Sequence, residues 1–257
     1  MPYRGCAGRS TGDHAGRGRA RHARNASDRL SLGAWVRRGH GAGFLCGRYG
    51  KENTMRIGII GLGNMGQALG TALAKGGRKV VGWNRTPRDF PALSAAGATV
   101  HPQLETAAAE ADLLLLVMLS YPSTEEALRP LAGRLTGKIL VQLCSGLPDD
   151  AIAFDAWARG EGARSLDVAV LGFPSDIGSD RVLFVHSGDE SLHRELLPHL
   201  APIGPRHRHV GTAPGLAKTY DNVLLARNYA WMMSYLQAAA LARAAGLDTT
   251  VYTEVAM

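Results

Sequence analysis

From Met55 onward, short apolar runs alternate with segments of helical period. Arg56–Ile60 and Lys79–Trp83 read as strands. Leu113–Met118 and Ile139–Gln142 are apolar on both faces, as strands in the middle of a parallel sheet are. Met65–Lys75 is helical and stops at Gly76-Gly77. Helical patterns recur near Pro102–Ala111, Ser123–Leu131 and Asp149–Gly160. Strand-like Ser165–Val170 and Arg181–His186 then precede a helical Glu190–Leu200. The alternation predicts an α/β fold, a doubly wound and mostly parallel sheet.

The last element departs from this rhythm. Leu216–Ala245 contains neither Gly nor Pro, which predicts one helix of about 30 residues and some 45 Å. Within Val223–Ala244 only Arg227, Asn228, Ser234, Gln237 and Arg243 interrupt the apolar positions. A helix apolar on nearly all sides has to be covered, and only Gly246–Met257 follow. A partner subunit or a missing remainder of a second domain is expected.

Composition changes the picture at one end. The chain has 257 residues and a net charge of +7. Residues 1–54 hold 11 Lys and Arg against 3 Asp and Glu, whereas the rest holds 18 against 19. The basicity therefore belongs to the leader, and no nucleic-acid face is expected on the folded part. The Arg- and Gly-rich leader lacks periodicity and the apolar segment of a secretory signal, and is expected to be disordered. An over-long start, with Met55 as initiator, is favoured over a functional tail such as a transit peptide or an RNA-binding segment. Two of the three cysteines lie in the leader and Cys144 stands alone. No disulfide framework or zinc spacing exists, so a reducing, cytoplasmic compartment is expected. The longest apolar run, Leu113–Leu119, is too short for a membrane span.

Candidate chemistry begins at Gly61-Leu62-Gly63-Asn64-Met65-Gly66. This G-x-G-x-x-G lies between a strand and a helix, the context a dinucleotide site requires. Gly61 permits the turn, Gly63 lets backbone N–H groups reach a pyrophosphate, and Gly66 lets helix and strand pack closely. The helix N-terminus favours the phosphates. At the end of the second strand, where NAD-binding units carry an acid for the ribose, stands Trp83-Asn84-Arg85-Thr86. Arg85, with Asn84 and Thr86 as further donors, suits a 2′-phosphate, so NADP(H) is expected.

With these residues the chain resembles the β-hydroxyacid dehydrogenase superfamily, and within it the imine reductase branch. GLGNMG followed by WNRT carries the first part. Ser145-Gly146-Leu147-Pro148-Asp149-Asp150-Ala151, Leu166-Asp167-Val168-Ala169, Phe173-Pro174-Ser175-Asp176-Ile177-Gly178 and Ser187-Gly188-Asp189 carry the rest. The resemblance covers about Met55–Asp248 and implies a Rossmann domain at 55–214. It also implies that 215–257 form the long helix and the start of a helical domain that pairs with a second subunit as a homodimer.

Gly215-Leu216-Ala217-Lys218-Thr219-Tyr220-Asp221-Asn222 opens that helix. Lys218, Asp221 and Asn222 stand at i, i+3 and i+4 and share a helix face. The resemblance implies two readings. As in hydroxyacid dehydrogenases, Lys218 is the acid/base and Asn222 orients the substrate. As in imine reductases, Asp221 acts, with Tyr220 a neutral donor. Lys218 is expected to pair with Asp221 and keep it ionised, against the blander expectation of a surface ion pair. Met118, Leu119 and Ser145, at the ends of the middle strands, are expected near the nicotinamide. His207 and His209, between Arg206 and Arg208, read as a solvated basic turn and not a metal site. The expected function is NADPH-dependent reduction of a small imine or carbonyl compound. A 3-hydroxyacid dehydrogenase and an inactive NADP-binding fragment are the alternatives.

Overall fold

The computed structural model describes residues 55–256; the expectations for the leader lie outside the described residues. The elements run β1 (Arg56–Ile60), α1 (Asn64–Lys75), β2 (Lys79–Trp83), α2 (Pro91–Ala95), β3 (Thr99–His101), α3 (Leu104–Glu110), β4 (Leu113–Leu116), α4 (Tyr121–Leu128) and β5 (Ile139–Gln142). They continue through α5 (Pro148–Gly160), β6 (Arg164–Leu171), β7 (Leu183–Gly188), α6 (Glu190–Leu200), β8 (His207–His209), α7 (Leu216–Ala244) and α8 (Thr249–Ala256). The strands form one sheet in the order β3-β2-β1-β4-β5-β6-β7-β8. β1 to β6 are parallel, and β7 and β8 run the opposite way. This is the doubly wound, mostly parallel arrangement the apolar pattern predicts.

Each middle strand feeds two cores, because successive side chains leave opposite faces. Ile57, Ile59, Leu113, Leu115, Ile139 and Val141 meet Leu69 and Leu73 of α1 and Leu192 and Leu196 of α6. Ile60, Leu114, Leu116 and Leu140 meet Leu104 of α3, Leu128 of α4 and Phe154 of α5. The order of winding reverses between β1 and β4, and a crevice opens there at the carboxyl ends of the strands.

α7 is gripped at its start. Ala217, Lys218 and Asp221 are buried, and beyond them only Ala242 is. Val223, Tyr229, Trp231, Met233 and Leu236 are exposed. α8 folds back on the helix, with Tyr235 Oη donating to Thr253 Oγ1 at 3.0 Å. Among the described residues no helix is long and apolar enough to cross a membrane.

The histidines correct one expectation. His207 and His209 lie on an edge strand, not in a solvated turn. His186 Nε2 and His207 Nδ1 are 2.9 Å apart, and His193 packs against both His186 and His209. Among the described residues no group of three or more ligating side chains is disposed to hold a metal. Burial, reinforced by the neighbouring imidazoles, lowers the pKa of His186 to about 2. Burial likewise lowers that of His207 to about 4. Well above pH 6.5, His186 and His207 are neutral in the folded and the unfolded chain alike. Below it, the unfolded chain takes up protons that these two side chains refuse. Stability is therefore expected to fall between about pH 6.5 and pH 4, by about 1.4 kcal/mol per pH unit for each histidine. Urea unfolding across this range checks the slope, which should be shallower in His186→Gln.

Candidate nucleotide and substrate cleft

The crevice is built from the turn after β1. Gly61 has φ +103°, and its N–H donates to Trp83 O at 2.9 Å, tying the turn to the end of β2. A side chain there would strike the carbonyl of Val117. A methyl group on Gly66 would run into the carbonyl oxygen of Gly61, so the first turn of α1 seats on the turn that precedes it. Gly63 caps the helix. A Cβ on Gly63 would meet no protein atom, so the chain's own packing does not require glycine there.

Gly63, Asn64, Met65 and Gly66 form one wall of a cleft of about 500 Å³. Met118, Leu119 and Ser145 stand along it with Val117, Leu143, Cys144, Ala169, Val170 and Leu225. Asp221 enters from α7 and is, among the described residues, the one charged lining residue. Burial raises its pKa; the Lys218 charge opposes the rise and Asp167 adds to it. Cys144 borders the cleft as a neutral thiol, pushed by burial up to about 12. Leu62, between the glycines, is buried in the core.

A second depression of about 410 Å³ lies past β2, between Trp83, Arg85, Gln103, Leu104, Ser123 and Glu126. Arg85 is exposed, with Nη1 3.9 Å from Glu126 Oε2, a separation worth little in water. Thr86 is exposed beside it. Asn84 behaves differently from the expectation. Its Oδ1 accepts from Leu62 N at 3.0 Å and its Nδ2 donates to Thr86 O at 2.7 Å. The amide oxygen braces the glycine turn, and one of the two amide N–H groups is used on Thr86. Arg88, which sequence reasoning did not single out, donates to Leu62 O at 2.9 Å and lies 5.1 Å from the centre of the Phe90 ring. The signal was available as a second arginine three residues past Arg85.

The start of α7 separates residues that helical spacing placed together. Lys218 has no exposed surface. Its Nζ lies 3.0 Å from Asp167 Oδ1 and donates to Val168 O at 2.8 Å, so its partner is Asp167 and not Asp221. Tyr121 Oη donates to the same Asp167 oxygen at 2.8 Å. Asn222 Nδ2 reaches Gly146 O at 3.4 Å, a tie between helix and loop. Tyr220 is half exposed and does not line the cleft.

A family model described as the NAD binding domain of 6-phosphogluconate dehydrogenase matches residues 56–211. The chain belongs to this family. It is 31% identical over 195 residues to an NADPH-dependent reductive aminase of Aspergillus oryzae, covering 76% of this chain and 65% of that protein. The chain thus spans just under two thirds of that relative. A mitochondrial 3-hydroxyisobutyrate dehydrogenase of Drosophila melanogaster is 25% identical over 203 residues, 77% of this chain and 62% of the relative. Among solved structures, an imine reductase from Myxococcus stipitatus in complex with NADP+ superposes with a TM-score of 0.74 at 32% identity, covering 78% of this chain and 71% of that one. A reductive aminase from Aspergillus terreus in complex with NADPH and ethyl levulinate gives 0.72 at 29%, covering 79% and 70%. These similarities fit the imine reductase branch of the β-hydroxyacid dehydrogenase superfamily, in agreement with the motif resemblance.

The contact between Gly66 and Gly61 is backbone against backbone, so it cannot yield by a rotamer change. Gly66→Ala is expected to destabilise the family's nucleotide-binding fold by about 2 kcal/mol or more. Urea unfolding of the variant beside the parent measures it.

Proposed function

We propose that this chain binds NADP(H) in the crevice and directs reduction to the carbon of an imine C=N bond. The glycine turn supports the nucleotide part. Gly63 leaves a bare cradle at a helix N-terminus, where unpaired N–H groups and the helix dipole favour phosphate. Arg85 and Thr86 follow the end of β2, at the place where NAD-binding units carry an acid for the ribose, and suit a 2′-phosphate, although Glu105 and Glu126 line the neighbouring depression. Bound NADPH supplies hydride.

One observation carries the choice of substrate: among the described residues Asp221 is the only charged side chain on an otherwise largely apolar cleft. A carboxylate suits a substrate that becomes cationic. Burial raises the proton affinity of Asp221, which suits it to deliver a proton to the imine nitrogen. On passing it over, the carboxylate remains as counter-ion to the iminium. Met118, Leu119, Val170 and Leu225 offer apolar surface to the substituents of a substrate. A hydroxyacid needs a cation for its carboxylate and a donor for its oxygen. The cleft wall offers no cation, and Lys218, the expected donor, is buried against Asp167. Similarity to a hydroxyacid dehydrogenase keeps that reading as the second one. The exposed apolar flank of α7, with Trp231, Met233 and Leu236, supports a homodimer in which a second copy covers it. Among the described residues the one cysteine, Cys144, is a buried free thiol, which supports a reducing compartment such as the cytoplasm.

Two sets of measurements test this reading. NADPH consumption is expected with a cyclic imine, and no NADP+ reduction with 3-hydroxyisobutyrate-type acids. Asp221→Asn should lower the imine rate by about 10²-fold or more. The reverse substrate pattern would favour the hydroxyacid reading, and NADPH binding without turnover of either would favour an inactive nucleotide-binding chain. Separately, Gly63→Val should fold like the parent yet lose most NADPH affinity, and Arg85→Ala should weaken NADPH by about 10-fold while leaving NADH nearly unchanged. Fluorescence titration with both nucleotides reads each.

A further inference from the structure

Lys218 is fully buried one helical turn from the cleft residue Asp221. An ammonium is a costly group to bury unless it is paired and hydrogen-bonded. Ala217 beside it packs on Ala169 and Val185, and its N–H donates to Ser187 Oγ at 3.0 Å. The ammonium is fixed from two sides, by Asp167 Oδ1 and by the carbonyl of Val168. Tyr121 meets the same carboxylate oxygen. One atom of Asp167 thus joins β6, α4 and the first turn of α7.

We propose that Lys218 is a positioning residue for Asp221: its buried pair with Asp167 pins the first turn of α7 to β6, and its charge sets how readily Asp221 releases a proton into the cleft. The inference rests on the reading of Asp221 as the group that faces substrate. Titratable groups meet this region from every element packed around it. They are Lys218 on α7 itself, Asp167 on β6, Cys144 after β5 and Tyr121 on α4, with Asp150 on α5 acting on the last two. Burial pushes Tyr121 and Cys144 upward, so both are neutral near pH 7. The charges left to act on Asp221 are the two members of the buried pair, and they pull in opposite directions. Without Lys218, burial and Asp167 would act on Asp221 unopposed and keep its proton in place.

The test is a ¹³C NMR titration of aspartate carboxyls in the full chain without nucleotide, with the Asp221 signal assigned by its loss in Asp221→Asn. Lys218→Met is expected to raise the Asp221 midpoint by about one unit or more, and Asp167→Asn to lower it. A purely architectural pair predicts the same direction for both, since both variants break the same contact. Should Lys218→Met not fold, Lys218→Gln, which keeps an N–H donor and removes the charge, carries the same expected upward shift. An unmoved midpoint in these variants, or single variants that shift the same way, overturns the proposal. The titration needs neither nucleotide nor turnover. Opposed shifts in a chain that reduces no imine would sustain the role of Lys218 and refute the reading of the reaction.

Discussion

The structure depends on one backbone contact. α1 can leave β1 in the observed direction only because Gly66 lies against the carbonyl of Gly61 with no side chain between them. That contact places the N-terminus of α1 at the switch point of the sheet, between β1 and β4. Everything that faces the crevice is then set by where neighbouring strands end. β4 delivers Val117 to Leu119, β5 delivers Leu143 to Ser145, and β6 delivers Ala169 and Val170. The turn itself is braced from β2, by Trp83 O and the amide of Asn84. A local glycine pattern therefore controls the position of residues more than a hundred positions away.

Much of this was legible in the sequence. The strands buried on both faces have one-sided composition, and β1, β2 and β5 have the bounds the apolar runs suggested. The short edge strands did not show. β3 is Thr99-Val100-His101 and β8 is His207-Arg208-His209, and three residues with polar members carry no period. They are strands because a neighbour offers unpaired backbone groups. α8 was missed although Gly246, with φ +78°, and Asp248, which accepts from Thr250 N at 2.7 Å, mark the stop of one helix and the start of the next. The β-branched run after Asp248 hid the signal.

The site was legible as a set of residues and not as a set of partners. Helical spacing showed that Lys218 and Asp221 are neighbours on α7, but spacing knows nothing of β6. The ammonium turns to the carboxylate of Asp167, on the interior strand β6. Asn84 likewise has partners its place after β2 did not reveal: its Oδ1 accepts from Leu62 N and one N–H of its amide goes to Thr86 O. In both cases a polar group of the protein met another polar group of the protein.

The grip on α7 also has a mechanical side. Its helix of 29 residues is held at Ala217, Lys218 and Asp221, and the remainder projects from that point with little burial. The arrangement is a lever whose fulcrum lies at its root. Asp221 is about 4.5 Å along the axis from Lys218, and the far end is about 39 Å away. A tilt of about 10° about the fulcrum would carry the far end some 7 Å and Asp221 less than about 1 Å. Whatever settles on the distal turns can thus swing through a wide arc while the carboxylate in the cleft stays almost in place.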